Sequence, residues 1–249
     1  MNMDKRLERG EHGADNPRAI NCFTCQSRNK TEWCHLHGDD LRVLNQVKVC
    51  NIYKPGQVIF YQGNPCLGLY CIERGTVAIR KSDANGNSVL VRLAHDGSTI
   101  GYRAYFAGGI YSGTAEALSE CRVCFIDRSA VRTLMEHNPA VGLSFLQHMA
   151  TDLQDSEELR LQSSVLPVRA RVAHLLLVLK DKFGTAMDDG SLSIELPLSR
   201  QDIAAMIGTR PETISRVLKA MEEDEVAIFT GRTVEVADLD LLLDEIDNL

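Results

Sequence analysis

The stretch Leu198-Ser-Arg-Gln-Asp-Ile-Ala-Ala-Met-Ile-Gly-Thr-Arg-Pro-Glu-Thr-Ile-Ser-Arg-Val-Leu-Lys-Ala-Met221 decides how this chain is read. It predicts two short helices about a tight turn. Ser199 N-caps the first, with Asp202 three residues on as its capping-box partner. Ile203, Ala204 and Ile207 give that helix an apolar stripe. Gly208 suits the turn, because glycine enters left-handed conformations without a Cβ clash. Thr209 is expected to cap the second helix, with Pro211 in its first turn, where a missing N–H does no harm. Ile214, Val217, Leu218 and Met221 then face inward, while Glu212, Ser215, Arg216 and Lys219 stand at i, i+3, i+4 and i+7 on one outer face. Such a helix suits a DNA major groove: arginine bonds guanine O6 and N7 together, and glutamate accepts from cytosine N4. An ordinary packed helix pair with a solvated face has the same pattern, and Glu212 is then only the N3 partner of Thr209. Ala227 to Val236 reads as two short strands about Thr230-Gly231, which turns the helix pair into the winged form.

Composition places limits on this reading. The 249 residues, 44% hydrophobic and 24% charged, suffice for one large or two moderate globular domains. No run of about eighteen apolar residues exists, so no membrane span is expected. The start, MNMDKRLERGEHGADNPRAI, lacks the apolar segment of a secretory signal, and the expected location is the cytoplasm. A net charge of −7 argues against a generally basic, nucleic-acid-coating surface. A groove reader needs only a local positive patch, however, and Arg200, Arg210, Arg216, Lys219 and Arg232 supply one. The acids at Glu222 to Glu225 and Asp238 to Asp247 then form a solvated rear surface. Eight cysteines without a signal peptide point to reactive, buried or metal-bound thiols rather than disulfides.

Along the chain, residues 1–20 read as a disordered arm and residues 21–40 as a cysteine-rich segment. Residues 41–138 hold short apolar runs between turn signals, among them Gln57 to Tyr61, Gly68 to Ile72, Gly75 to Arg80, Ser88 to Leu93 and Arg122 to Ile126. Many short, evenly spaced strands imply a compact β-roll or barrel. Residues 139–166 read as one long helix opened by Pro139. On it Leu146, Met149, Leu153, Ser156 and Arg160 recur at alternating three and four, as in a coiled-coil dimer seam. A seam containing Ser156 and Arg160 is weak, and a helix packed on its own roll is the alternative. Residues 167–249 form the winged helix-turn-helix domain, entered by a helix over Val168 to Phe183. The fold class is therefore α+β.

This order, with Lys54-Pro-Gly-Gln57, Gly68-Leu-Tyr-Cys-Ile-Glu-Arg-Gly-Thr-Val77, the Gly101 turn and Ser199 to Leu218, resembles the CRP/FNR family of bacterial transcription regulators. Glu212-Thr-Ile-Ser215-Arg216 is similar to the recognition helix of the FNR branch. The resemblance implies a homodimer on a double-stranded palindrome with TTGAT-like half-sites, read by Glu212, Ser215 and Arg216, with Arg200, Thr209, Arg210 and Lys219 beside them. It also implies a contact with RNA polymerase through Lys81 to Ser88, although the acids usual after the glycine of that loop are here Asn87 and Ser88. In CRP-like members a Gly-Glu-Leu motif and an Arg-Ser/Thr pair hold cyclic AMP. Here those places read Gly101-Tyr102-Arg103 and Tyr111-Ser112-Gly113, so cyclic-nucleotide sensing is not expected, and Arg103 is left as a possible anion holder.

FNR proteins instead hold a [4Fe–4S] cluster on three N-terminal cysteines and one from the roll. The resemblance assigns these places to Cys22, Cys25, Cys34 and, by matching Ala117 to Ile126, Cys124. The x8 gap before Cys34 is longer than in the best-known member. Chemically, four soft thiolates suit an Fe–S cluster or tetrahedral zinc. From the residues alone, cluster, zinc with His35 or His37 as a ligand, and unliganded thiols all stay open. Cys50, Cys66, Cys71 and Cys121 are taken as inert thiols, with Cys121 the rival to Cys124, and Trp33 as a cover over the site. His95, His137, His148 and His174 are assigned no role. A same-fold regulator sensing nitric oxide, haem or a small effector is the alternative function. A cupin-like enzyme would need a His and carboxylate cluster on strands, which the sequence does not offer.

Overall fold

The structure, a computed structural model, describes residues 20–247, so the expected arm at 1–20 falls almost wholly outside the described residues. The cysteine segment forms two 3-10 turns, Ser27–Lys30 and Glu32–His35, before helix α1 (Gly38–Val47). The roll follows as β1 (Val49–Tyr53), β2 (Val58–Phe60), β3 (Gly68–Arg74), β4 (Val77–Ser82), β5 (Ser88–Ala94), β6 (Thr99–Ile100), helix α2 (Tyr102–Phe106), β7 (Thr114–Ala117) and β8 (Cys121–Asp127). Helices α3 (Arg128–His137), α4 (Pro139–Val165) and α5 (Val168–Phe183) come next. The C-terminal unit comprises β9 (Gly184–Ala186), β10 (Leu192–Glu195), α6 (Arg200–Met206), α7 (Pro211–Glu223), β11 (Ile228–Thr230), β12 (Thr233–Val236) and α8 (Leu239–Asp247).

The roll is two four-stranded antiparallel sheets, ordered β1-β8-β3-β6 and β2-β7-β4-β5. Inward residues of the strands alternate with outward ones, and Leu69, Ile72, Val77, Ile100, Ala115 and Val123 fill the space between the sheets. Phe60, Tyr70 and Tyr111 stack at one end, the Phe60 and Tyr111 rings 4.0 Å apart between centroids. Gly101 takes φ +91° and starts α2. The expected strands are present with shifted ends; β1, β6 and β7 are additional.

Helix α4 packs its first half on the roll through Val141 and Phe145 and leaves its second half exposed. Met149 turns toward the roll core rather than lying on an outer seam. The exposed apolar row is Leu143, Leu146, Ala150 and Leu153, still at three-four-three spacing, with Arg160 and Ser156 exposed beyond it. Met149 was assigned to the seam by period alone; Ala150 stands in its place.

In the C-terminal unit the capping box forms as expected: Asp202 N–H donates to Ser199 Oγ at 3.1 Å and Ser199 N–H to Asp202 Oδ2 at 3.0 Å. Gly208 takes φ +67°. Thr209 does not cap the next helix: Arg210 is its N-cap, without a side-chain bond, and Pro211 is its first residue. The Thr209 N–H is already given to the Ala204 carbonyl at 2.9 Å, which closes the turn. The wing is part of a four-stranded sheet, β11-β12-β10-β9.

Two polar contacts tie these parts together. Arg80 on β4 donates to Asp202 Oδ1 at 2.6 Å and to Glu116 at 3.1 Å, so the capping residue of α6 also bonds the roll. Burial alone would raise the Asp202 pKa, but Arg80 and Ser199 outweigh it and hold the carboxyl below its ordinary value. Glu32, 7% exposed in the cysteine segment, bonds His148 Nδ1 on α4 and accepts from Thr99 Oγ1 at 2.6 Å. The Glu32 carboxylate, against a smaller opposing effect of burial, holds the His148 pKa above its ordinary value.

Asp202→Ala removes a cap and leaves Arg80 with one partner, so it should cost roughly 2 kcal/mol or more in urea unfolding; an unchanged midpoint would show that the bridge contributes nothing. Because the His148 pKa is raised on folding, its contribution is present below the unfolded histidine value and lost as pH rises through the folded one. The Tm advantage of wild type over His148→Gln should therefore shrink as pH rises above the ordinary histidine value of about 6.5.

Candidate DNA-reading face and cysteine pocket

Helix α7 buries Ile214, Leu218 and Met221 against α5, α6 and the wing, so its opposite face is held outward. On that face Glu212, Ser215, Arg216 and Lys219 are all exposed. Ser215 Oγ donates to the Pro211 carbonyl at 3.1 Å, and Lys219 lies 3.4 Å from Glu223, both of them well solvated. Arg200, Arg210 and Arg232 are exposed around it, and Thr209 is half-buried in the turn. The acids Asp224 and Glu245 are engaged elsewhere, clasping Arg169 on α5 at 2.5 and 2.6 Å. Lys219 apart, these exposed positive residues have no acidic partner among the described residues, while Asp224 and Glu245 are neutralised by Arg169.

The cysteine segment is organised by Arg28, a residue to which the sequence reading gave no role. Its Nε donates to the Cys22 carbonyl at 3.0 Å, and its Nη1 to the carbonyls of Trp33 at 3.0 Å and Cys34 at 3.3 Å. One guanidinium therefore gathers the backbone at Cys22 and the Glu32–His35 turn that carries Cys34. Cys22 N–H is held by Asn45 Oδ1 at 2.8 Å, and Ser27 Oγ donates to the Glu73 carbonyl on β3 at 2.6 Å, which docks the segment on the sheet.

Beneath it lies a small, almost wholly apolar pocket of about 40 Å³, whose lining includes Cys22, Cys25, Cys71, Cys124, Trp33 and Lys48. Trp33 is 1% exposed, packs edge-on against Phe145 of α4, and its Nε1 is buried without an acceptor among the described residues. Burial pushes the Cys22 thiol up against the pull of Lys48, and pushes the Cys71 thiol up further.

Of the four expected ligands, the structure brings Cys22, Cys25 and Cys124 to this pocket; Cys34 lies outside its lining. Cys124 is joined to Cys50 in a disulfide, which corrects the reading of Cys50 as an inert thiol and ties up the roll's ligand. Cys121 is on the other face of β8 with its thiol on the Thr76 carbonyl at 3.2 Å, so it is no rival. No group of three metal-binding side chains is assembled among the described residues, and His35 and His37 are exposed. The donor types fit an Fe–S cluster or zinc, and four cysteines, Cys22, Cys25, Cys71 and Cys124, line the pocket. The donors are not gathered in the form shown.

The histidine reading also needs correction. His148 is the partner of buried Glu32, and it lies 3.8 Å from Asp152. Asp152 in turn accepts from Tyr102 and from Arg103 Nε at 3.2 Å. Arg103 is therefore neutralised by α4 and is not a free anion holder. Tyr102, fully buried and bonded by Arg92 at 2.6 Å, fills the place where a cyclic-nucleotide motif would put glutamate. Spacing gave no signal for the Tyr102–Asp152 and Glu32–His148 contacts, whose partners lie 50 and 116 residues apart.

Comparison with known proteins agrees with this architecture. Residues 51–138 match the cyclic nucleotide-binding domain and residues 170–245 the Crp-like helix-turn-helix domain. The chain is 29% identical over 191 residues to the cAMP-activated global transcriptional regulator CRP of Salmonella typhimurium, covering 75% of this chain and 90% of that protein. It is 25% identical over 228 residues to the transcriptional activator protein FnrL of Cereibacter sphaeroides, covering 90% and 91%. The fold is that of FixK2 from Bradyrhizobium japonicum, with TM-score 0.68 at 23% identity over 80% of this chain and 96% of that one. CRP and FnrL are transcription regulators, not enzymes, and among the described residues no helix is long and apolar enough to cross a membrane. A nucleotide-binding-type roll, a long helix and a winged Crp-like reader in one chain make this protein a member of the CRP/FNR family of DNA-binding transcription regulators.

Proposed function

We propose that this chain is a regulator of the FNR type, which binds palindromic TTGAT-like operators as a homodimer and senses oxygen or redox state through a [4Fe–4S] cluster. The observation that carries the DNA half is the outward face of α7. Arg216 and Glu212 read base edges, Ser215 adapts between them, and Arg200, Thr209, Arg210 and Lys219 bond phosphates. The wing residue Arg232 extends the positive rim. Two such helices are brought to one duplex by pairing of α4 along Leu146 and Leu153, with Leu143 and Ala150 completing the row and Ser156 and Arg160 limiting its strength. The turn Lys81 to Ser88, where Asp83 accepts from the N–H groups of Asn85 and Asn87 at 2.9 Å, is the RNA polymerase contact.

What supports the sensory half is the pocket under the cysteine segment, with Cys22, Cys25 and Cys124 in its lining and the Cys34 carbonyl on the same guanidinium as that of Cys22. Cys22, Cys25, Cys34 and Cys124 would hold the cluster, which supplies a centre that oxygen degrades. This chain's residues do the rest. Arg28 positions both turns, Trp33 and Ile126 keep water from the sulfurs, and Glu32 carries any shift of the Glu32–His35 turn to His148 on α4. Holding the cluster requires Cys124 as a thiolate, so the bond to Cys50 must open. The tyrosine at position 102, packed among Arg92, Asp152 and Phe145, argues against a nucleotide in the roll.

Arg216→Ala and Glu212→Ala should each cost roughly 1–3 kcal/mol of operator binding and relax specificity at one base pair, in titrations against single-substitution operators. Unchanged affinity would remove α7 from the groove. Protein prepared without oxygen should contain iron and sulfide, absorb visible light, and bleach in air together with loss of the dimer in sedimentation. A colourless, iron-free preparation that pairs tightly on the operator would overturn the sensory reading.

A further inference from the structure

The roll carries more sulfur at the pocket than the proposed ligand set uses. In the sheet order β1-β8-β3, Cys124 on β8 stands directly opposite Cys50 on β1 and directly opposite Cys71 on β3. Paired residues of neighbouring strands share a face, so the three cysteines form one row across the sheet with Cys124 in the middle. Cys124 and Cys71 line the pocket; Cys50, 3% exposed, does not, and reaches Cys124 from the far side. The structure joins Cys50 to Cys124, residues 74 apart in sequence but neighbours in the ladder. A sulfur in a disulfide cannot serve as a thiolate ligand. The one roll cysteine of the proposed ligand set therefore has two mutually exclusive partners, one on each side.

We propose that Cys50 is the resolving cysteine of a thiol–disulfide latch on the metal site: once Cys124 is released, it closes with Cys50 and holds the protein in the unloaded form until a thiol reductant reopens it. This rests on the cluster reading above. The step balances. The Cys124 thiolate attacks a low-molecular-weight disulfide and expels one thiolate. The Cys50 thiolate then attacks Cys124 Sγ and expels the second, so two cysteine thiols become one disulfide and the oxidant becomes two thiols. The β1–β8 ladder already holds the two residues opposite one another, so closure needs no change of register. The row also separates the roles of its ends. Cys71, whose thiol is 3.9 Å from Thr99 Oγ1, stays free while Cys50 closes.

The test uses full-length protein, stripped of metal by a chelator under argon and treated with one equivalent of oxidised glutathione. Free thiols are then alkylated and peptides mapped, and parallel samples are given ferrous iron and sulfide with or without dithiothreitol. In wild type, Cys50 and Cys124 are expected to leave the alkylated set together as one linked peptide. Iron and sulfide uptake without dithiothreitol should fall by at least the roughly 10–100-fold in affinity that even an outer-shell loss costs, and dithiothreitol should restore it. In Cys50→Ala no intramolecular link to Cys124 forms, and dithiothreitol-free uptake after the same treatment stays well above that of wild type. Cys71→Ala behaves as wild type. A Cys50 that remains alkylatable in oxidised wild type, or equal loss of uptake in Cys50→Ala, overturns the latch. If fully reduced wild type takes up no iron and sulfide, the cluster reading fails and the latch with it. Normal loading of reduced protein with no Cys50–Cys124 peptide after oxidation sinks the latch alone.

Discussion

A buried carboxylate must have a cation or a full set of donors, and in this protein that constraint falls on Glu32. The residue lies in the short turn that also carries Trp33 and Cys34, and it is 7% exposed. Its two oxygens are met by His148 on α4 and Thr99 on β6, so the turn cannot move without leaving a charge uncompensated. The same helix receives Trp33 against Phe145 and places Asp152 to accept from Tyr102 and Arg103, with Arg92 3.7 Å away. Cysteine segment, roll and α4 thus share one polar network.

The second link runs from roll to reader. Asp202 satisfies the first turn of α6 through Ser199 and, with its other oxygen, the Arg80 guanidinium. Ala78 and Leu90 of the roll belong to the same apolar cluster as Ile203, Ile214 and Leu218. The reading helix is consequently anchored on a core that includes part of the sensor. Both links use a single acidic side chain to serve local geometry and a distant element at once, which makes each contact conditional on the other.

The fold was legible where local chemistry decides it. Ser199, Asp202, Gly208 and Pro211 announce two helices, and the polar face of α7 follows from a period of 3.6. The strands of the roll showed through their turn residues, with ends displaced by a residue or two. What failed was whatever depends on partners far along the chain. Thr209 looked like a cap, but its backbone was already committed to Ala204. Met149 kept the seam's spacing while the roll claimed its side chain. His148 and Arg103 are unremarkable in sequence, and only packing sets them against Glu32 and Asp152. The cysteine motif named residue types without saying which sulfur would meet which. That information resides in the register of β1, β8 and β3.

The dimer seam and the cysteine row share a logic. Leu143, Leu146, Ala150 and Leu153 offer about three turns of exposed apolar surface before Glu157 and Arg160 interrupt it. If α4 pairs along it as proposed, a strip that short would leave association close to balance, and only an equilibrium close to balance can be shifted by a modest change elsewhere. At the other end of the network Cys124 sits between alternatives of comparable reach, Cys50 behind it and the pocket before it. Each element is marginal alone. On the proposed reading, coupling through Glu32 and His148 would turn a choice made at one sulfur into a bias on whether two reading helices stand at the spacing of an operator.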